Sequence, residues 1–286
     1  MLVPVPDINR ARALYDLGKA TIFASRNDPR FSYCMYVPPH IDTADHPMEL
    51  VVIVHGTGRS FVEYRDAFTE FGRWNDCIVL CPLFPVGVLG DGNRDGFKQI
   101  QEGDLRYDHI LLDIVDEVAA KFDCDFSRFA LFGYSGGGQF ANRFALLHPE
   151  RLWGLSIGAP GSVTLLDADR DWWVGVRDME ARFGKALDLD ALREIDVQMV
   201  VGAADLEGWE ITHQVGGKFY MPGANDAGNT RPERLESLRQ SFIRAGVNVQ
   251  LNIVENVAHE GLFCVDTVQD FLAGALKRRR ALSVQA

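Results

Sequence analysis

Seven apolar runs of strand length recur along the chain, and stretches with helical spacing separate them. They lie at 31–37, 49–54, 78–81, 129–132, 153–157, 197–201 and 249–254. Most are nearly unbroken in apolar character, which suits parallel strands covered on both faces. In the last, Val249, Leu251 and Ile253 alternate with Gln250 and Asn252, as in a strand near a sheet edge with one wetter face. Among the helical stretches, Tyr107, Ile110, Leu111, Ile114, Val115, Val118, Ala119 and Phe122 form one continuous stripe. Residues 137–147 read as a helix stopped by Pro149, and 231–245 as one with Pro232 in its first turn and Gly246 at its end. A helix over 261–276 closes the chain ahead of a basic tail, 277–280, read as helix-end charge and solvated residues. Strands alternating with helices predict an α/β fold whose mostly parallel sheet is flanked by helices.

Two long segments fit neither element. Residues 82–106 are rich in Gly and Asp, and irregular loops of that length are usually functional. Residues 158–196 carry Trp172, Trp173, Phe183 and Leu187 and read as a short helical lid insertion. They are too few for a core of their own, so 1–286 is expected to be a single domain.

Gly133-Tyr134-Ser135-Gly136-Gly137 stands between the run FALF and a helix, the context a G-x-S-x-G nucleophile elbow requires. Such a turn is so tight that the neighbouring chain must pass against it, and the serine is pushed out at the carboxyl end of the strand. A hydroxyl is a poor nucleophile at neutral pH, so a base must accompany it. The elbow order places an acid next and a histidine after it. Asp205 follows the run 197–201, and His259 follows the run 249–254. Glu207 and Asp226 are rivals for the acid. An oxyanion hole needs two N–H donors, here Gly136 after the serine and Thr57 in the turn His55-Gly56-Thr57-Gly58. His55 reads as structural.

With these motifs in view, the chain resembles the α/β-hydrolase-fold serine esterases over about residues 31–276. Within them it is similar to the polyhydroxybutyrate depolymerase and feruloyl esterase-like group. The resemblance implies Ser135 as nucleophile, His259 as base and Asp205 as the acid that orients it, with no cofactor. It implies hydrolysis of a small-molecule carboxylic ester through an acyl-enzyme. Amide or hydrazide hydrolysis and acyl transfer use the same three groups, and a ligand receptor without turnover is the rival from another class. The link 206–230 is longer and more irregular than the family's usual one. Tyr134, Phe84, Val86, Trp172 and Trp173 are expected to line a pocket for modest, apolar acyl groups.

Charge narrows the partners. Lys and Arg number 29 against 40 Asp and Glu, a formal net charge of −11. That balance argues against nucleic acid and against anionic membrane surfaces. The N-terminus does not read as a secretory signal, and no run is long enough to span a bilayer. Five scattered cysteines, Cys34, Cys77, Cys81, Cys124 and Cys264, fit a reduced, cytoplasmic protein. His40, Asp42, Asp45 and His46 share a polar loop without recognised ligand spacing, so no metal is expected. Oligomeric state is not legible.

Overall fold

The computed structural model describes residues 8–283. Residues 1–7, part of the segment read for a secretory signal, and 284–286 lie outside them. The chain opens with α1 (Ile8–Tyr15), β1 (Gly18–Ala24), β2 (Ser32–Val37) and β3 (Glu49–Val54). Two short helices, α2 (Phe61–Ala67) and α3 (Thr69–Trp74), lead to β4 (Cys77–Leu83). A small hairpin of β5 (Gln101–Glu102) and β6 (Leu105–Arg106) precedes α4 (Tyr107–Phe122), β7 (Phe129–Tyr134), α5 (Gly136–Leu147) and β8 (Leu152–Gly158). Then come α6 (Met179–Phe183), α7 (Leu189–Arg193), β9 (Asp196–Gly202), α8 (Arg231–Arg244), β10 (Val249–Val254) and α9 (Val265–Ser283).

Eight strands form one sheet in the order β1-β2-β4-β3-β7-β8-β9-β10. β2 runs antiparallel to both β1 and β4, and every other pair is parallel. All seven expected strands are present. β1 was missed because it is an edge strand: Ala20 is its one fully buried residue, so no apolar run marks it. β10 closes the other edge; the alternation in its sequence holds over Val249–Leu251 and then breaks, with Asn252 half-buried and Ile253 exposed.

Burial explains the helices. α5 is buried along all twelve of its residues, which is why its sequence, GGGQFANRFALL, carries no charged solvent stripe. α8 begins with a capping box: Thr230 accepts from the Glu233 N–H, and the Glu233 carboxylate reaches back to the Thr230 N–H. The basic tail is exposed at Lys277 and Arg278, as expected, but it is held to the body rather than loose. α9 runs through it, Arg278 pairs with Asp196, Arg279 Nε donates to Glu49 at 2.7 Å, and Arg280 donates to the Asn75 carbonyl. Among the described residues no helix is long and apolar enough to cross a membrane.

The parallel strands point the same way, so the chain leaves β3, β7, β9 and β10 at one rim. Thr57, Ser135, Asp205 and His259 therefore all lie at that rim.

Candidate active site

Ser135 sits on the corner between β7 and α5 with φ 57° and ψ −114°, a conformation that side chains other than glycine seldom adopt. Surroundings hold it there. Its N–H donates to the Gly158 carbonyl at 2.8 Å. A methyl group at Gly133 would collide with the Gly137 carbonyl, and one at Gly137 with the carbonyl of Val54. The two glycines are thus required by close backbone approach on both sides of the serine.

The chain brings three distant side chains together here. Ser135 Oγ–H donates to His259 Nε2 at 2.9 Å, and His259 Nδ1–H donates to Asp205 Oδ2 at 2.6 Å. The direction follows from chemistry, because an ionised carboxylate can only accept and leaves Nε2 free to take the serine proton. Asp205 is buried, while His259 is partly open to the cleft and packs on the Tyr134 ring at 5.3 Å. Backbone bonds tie acid and base loops together: Ala203 N–H donates to Val254 O and Ala204 N–H to Val257 O, both at 2.9 Å. The rival acids lie elsewhere. Glu207 accepts from Trp209 Nε1, and Asp226 pairs with Arg170.

Thr57 and Gly136 stand side by side. The Thr57 nitrogen lies 3.3 Å from where a Cβ on Gly136 would be. Two groups set the turn that presents Thr57, the buried His55 and the half-buried Arg59. His55 Nδ1–H donates to the Gly56 carbonyl at 2.8 Å, and its Nε2 accepts from the Phe84 N–H at 2.9 Å. That pattern requires a neutral ring, and burial pushes its pKa down to about 3. Arg59, unremarked in the sequence, donates to the carbonyls of Thr57, Phe84 and Arg94.

A cleft of ≈ 550 Å³ opens over Ser135. Its walls differ from expectation. Tyr134 lines it, but Phe84, Val86, Trp172 and Trp173 do not. Phe84 is fully buried beneath the turn that carries Thr57, packed on His55, Phe97, Tyr107 and Phe140. Val86 is half exposed on the loop outside the cleft. Trp172 packs on Phe183, and Trp173 stacks on Arg143 and edges a separate hollow of ≈ 400 Å³. Of the expected lid, 158–196, only Gly161 reaches the cleft. In place of these aromatics stand Arg94, Asp95, Lys98, Glu210, Arg231 and Glu260, with Trp209 and Leu262 at the mouth. Lys98 pairs with Asp95 at 2.6 Å, and its side chain packs against Gly136.

Away from the cleft, Asp108, His109 and His148 come close enough to share a metal ion. Two of the three already have cationic partners: Arg106 forks onto Asp108, and Lys185 Nζ lies 3.0 Å from His148 Nδ1.

The sheet order, the serine corner after β7 and the rim loops after β9 and β10 define the α/β-hydrolase fold, and this chain has it. No protein-family model matches the sequence, and no curated protein matches it. Solved structures do. A poly(3-hydroxybutyrate) depolymerase, LpqC from Bordetella parapertussis, superposes with a TM-score of 0.70 at 20% identity over 94% of this chain and 98% of its own. Poly(aspartic acid) hydrolase-1 from Sphingomonas sp. KT-1 gives 0.66 at 19% identity, over 84% and 92%. An S-formylglutathione hydrolase from Agrobacterium tumefaciens gives 0.54 at 20% identity, over 87% and 90%.

Proposed function

We propose that the protein is a serine hydrolase of carboxylic esters. The relay Ser135–His259–Asp205, hydrogen-bonded end to end on a strained serine corner, carries this reading. Ser135 Oγ attacks the ester carbonyl as His259 Nε2 takes its proton. Asp205 keeps the proton on Nδ1 and stabilises the imidazolium. The N–H groups of Thr57 and Gly136 receive the oxyanion, each such donor being worth about 2.7–4 kcal/mol in the transition state. His259 then protonates the leaving alkoxide, and water releases the acid from Ser135. Hydrolases, esterases and a depolymerase among the solved neighbours agree with this chemistry. The charged cleft wall favours short esters bearing polar groups near the carbonyl over plain alkyl acyl chains.

A fluorophosphonate should label the protein once, at Ser135 by peptide mass spectrometry. Ser135→Ala should lose the label and at least about a thousandfold in kcat, because the relay acts as a unit. Labelling elsewhere, or an active Ser135→Ala protein, would sink the proposal. Adding a competing alcohol or amine separates hydrolysis from acyl transfer by its products.

A further inference from the structure

We propose that Arg231 is a positioning residue for this reaction: it clamps the acid and sets how far toward acid pH the relay works. The proposal rests on the Ser135–His259–Asp205 reading. Arg231 opens α8, where the positive end of the helix dipole disfavours a cation. It is buried there all the same, its side chain 4% exposed against 1% for Asp205. Nη1 donates to Asp205 Oδ1 at 3.1 Å and to the Glu207 carbonyl at 3.3 Å, and Nη2 donates to Glu210 at 2.9 Å. Stability alone is a poor reason for such a pair, since desolvation offsets most of its attraction.

Two consequences follow from the geometry. Asp205 is held through both oxygens, Oδ2 by His259 and Oδ1 by Arg231, so the carboxylate cannot swing away from the imidazole. The guanidinium also places a positive charge one carboxylate away from His259. That charge acts against the positive charge His259 takes up during the reaction, so its removal should be felt in the pH dependence of the rate.

Other charged groups near the imidazole are arranged differently. Glu260 is its chain neighbour and exposed, and Glu210 is engaged by the guanidinium. Arg94, Asp95 and Lys98 belong to the cleft wall. Tyr134, under the ring, and its neighbours Tyr64 and Cys264 all have their proton affinity pushed up by burial and stay neutral in the working range.

The test compares kcat/KM profiles of the full chain and its variants on p-nitrophenyl acetate from about pH 4.5 to 9, with active sites counted by fluorophosphonate. In Arg231→Gln, which keeps a donor and loses the charge, the acid limb should move up by about half to one pH unit, with kcat falling more than KM changes. Arg231→Lys should leave the limb in place. Glu210→Gln frees the guanidinium's charge and should move the limb the other way, which keeps the test alive if the glutamine variant does not fold. An unmoved limb in both Arg231→Gln and Glu210→Gln overturns the proposal, as does an equal shift in Arg231→Lys. A Ser135→Ala protein that stays active would instead remove the hydrolase reading beneath it.

Discussion

Residues 158–196, which hold only the short helices α6 and α7, and residues 206–230 both leave the carboxyl rim of the sheet as long excursions, and they are built in opposite senses. The first turns its aromatics inward: Trp172 and Trp173 are 4% and 7% exposed. The second turns them outward, with Trp209 74% exposed at the cleft mouth. Each is organised by a buried arginine of the body. Arg143 reaches Ser162 and Thr164 at the root of the first, and burial lowers its pKa to about 9. Arg231 and Arg234 grip carbonyls and carboxylates of the second. The difference teaches that aromatic content does not say which way a rim segment faces. In the first segment the Arg143 guanidinium, bonded to hydroxyls and a carbonyl, lies 5.2 Å from the centre of the Trp173 ring and holds it inward, whereas the Trp209 indole donates to Glu207 at the surface.

The largest expected effect breaks the comparison at the root of the outer segment. Asp205→Asn should cost about 10⁴ in kcat by favouring the wrong His259 tautomer, while Asp226→Asn, further along the same segment, should stay within about twofold. A crippled Asp226→Asn protein would show that the second segment carries the acid in solution.

Next comes the inner segment. Trp173→Ala removes a buried ring and should lower stability by about 3–5 kcal/mol in a denaturant titration, while the rate per labelled active site stays near wild type. Trp209→Ala should do the reverse, raising KM by about tenfold with an unchanged denaturation midpoint. If both variants behaved alike, the two segments would not differ as described.

The smallest effect lies at the seam between them. His213 of the outer segment packs on Trp173 of the inner one at 4.7 Å, and burial pushes its pKa from 6.5 down to about 4. Between those values the unfolded chain binds the proton and the folded chain does not. The stability is therefore present above about pH 6.5 and is lost as pH falls toward 4. His55, pushed further down, acts with the same sign. Melting temperature should fall over that window, and His213→Asn should flatten part of the slope. A slope identical in the two proteins would exclude His213 as a contributor.

The fold and the relay were legible for the same reason. Buried parallel strands need unbroken apolar runs, and the three hydrogen-bonded side chains stand just past them, so Ser135, Asp205 and His259 could be found by counting from strand ends. The cleft wall offers no such signal. Arg59, Lys98 and Glu210 are charges among many, distinguished only by a partner that the fold supplies. Arg231 left one trace, a cation in the first turn of a helix that already had a good cap. The adjacent tryptophans misled because a run of aromatics fits a packed segment as well as a pocket.

The crowded corner at Ser135 also bears on how such a chain can change by inheritance. Adding a single carbon at Gly133 or Gly137 strikes backbone rather than a side chain that might yield, so no gradual series of substitutions leads away from the present geometry. Exposed positions of the outer segment are freer: Leu206 and Val215 are 61% and 82% exposed and can be exchanged one at a time. Sequence change in descendants of this protein would thus collect along the exposed part of 206–230, with the serine corner passed on intact.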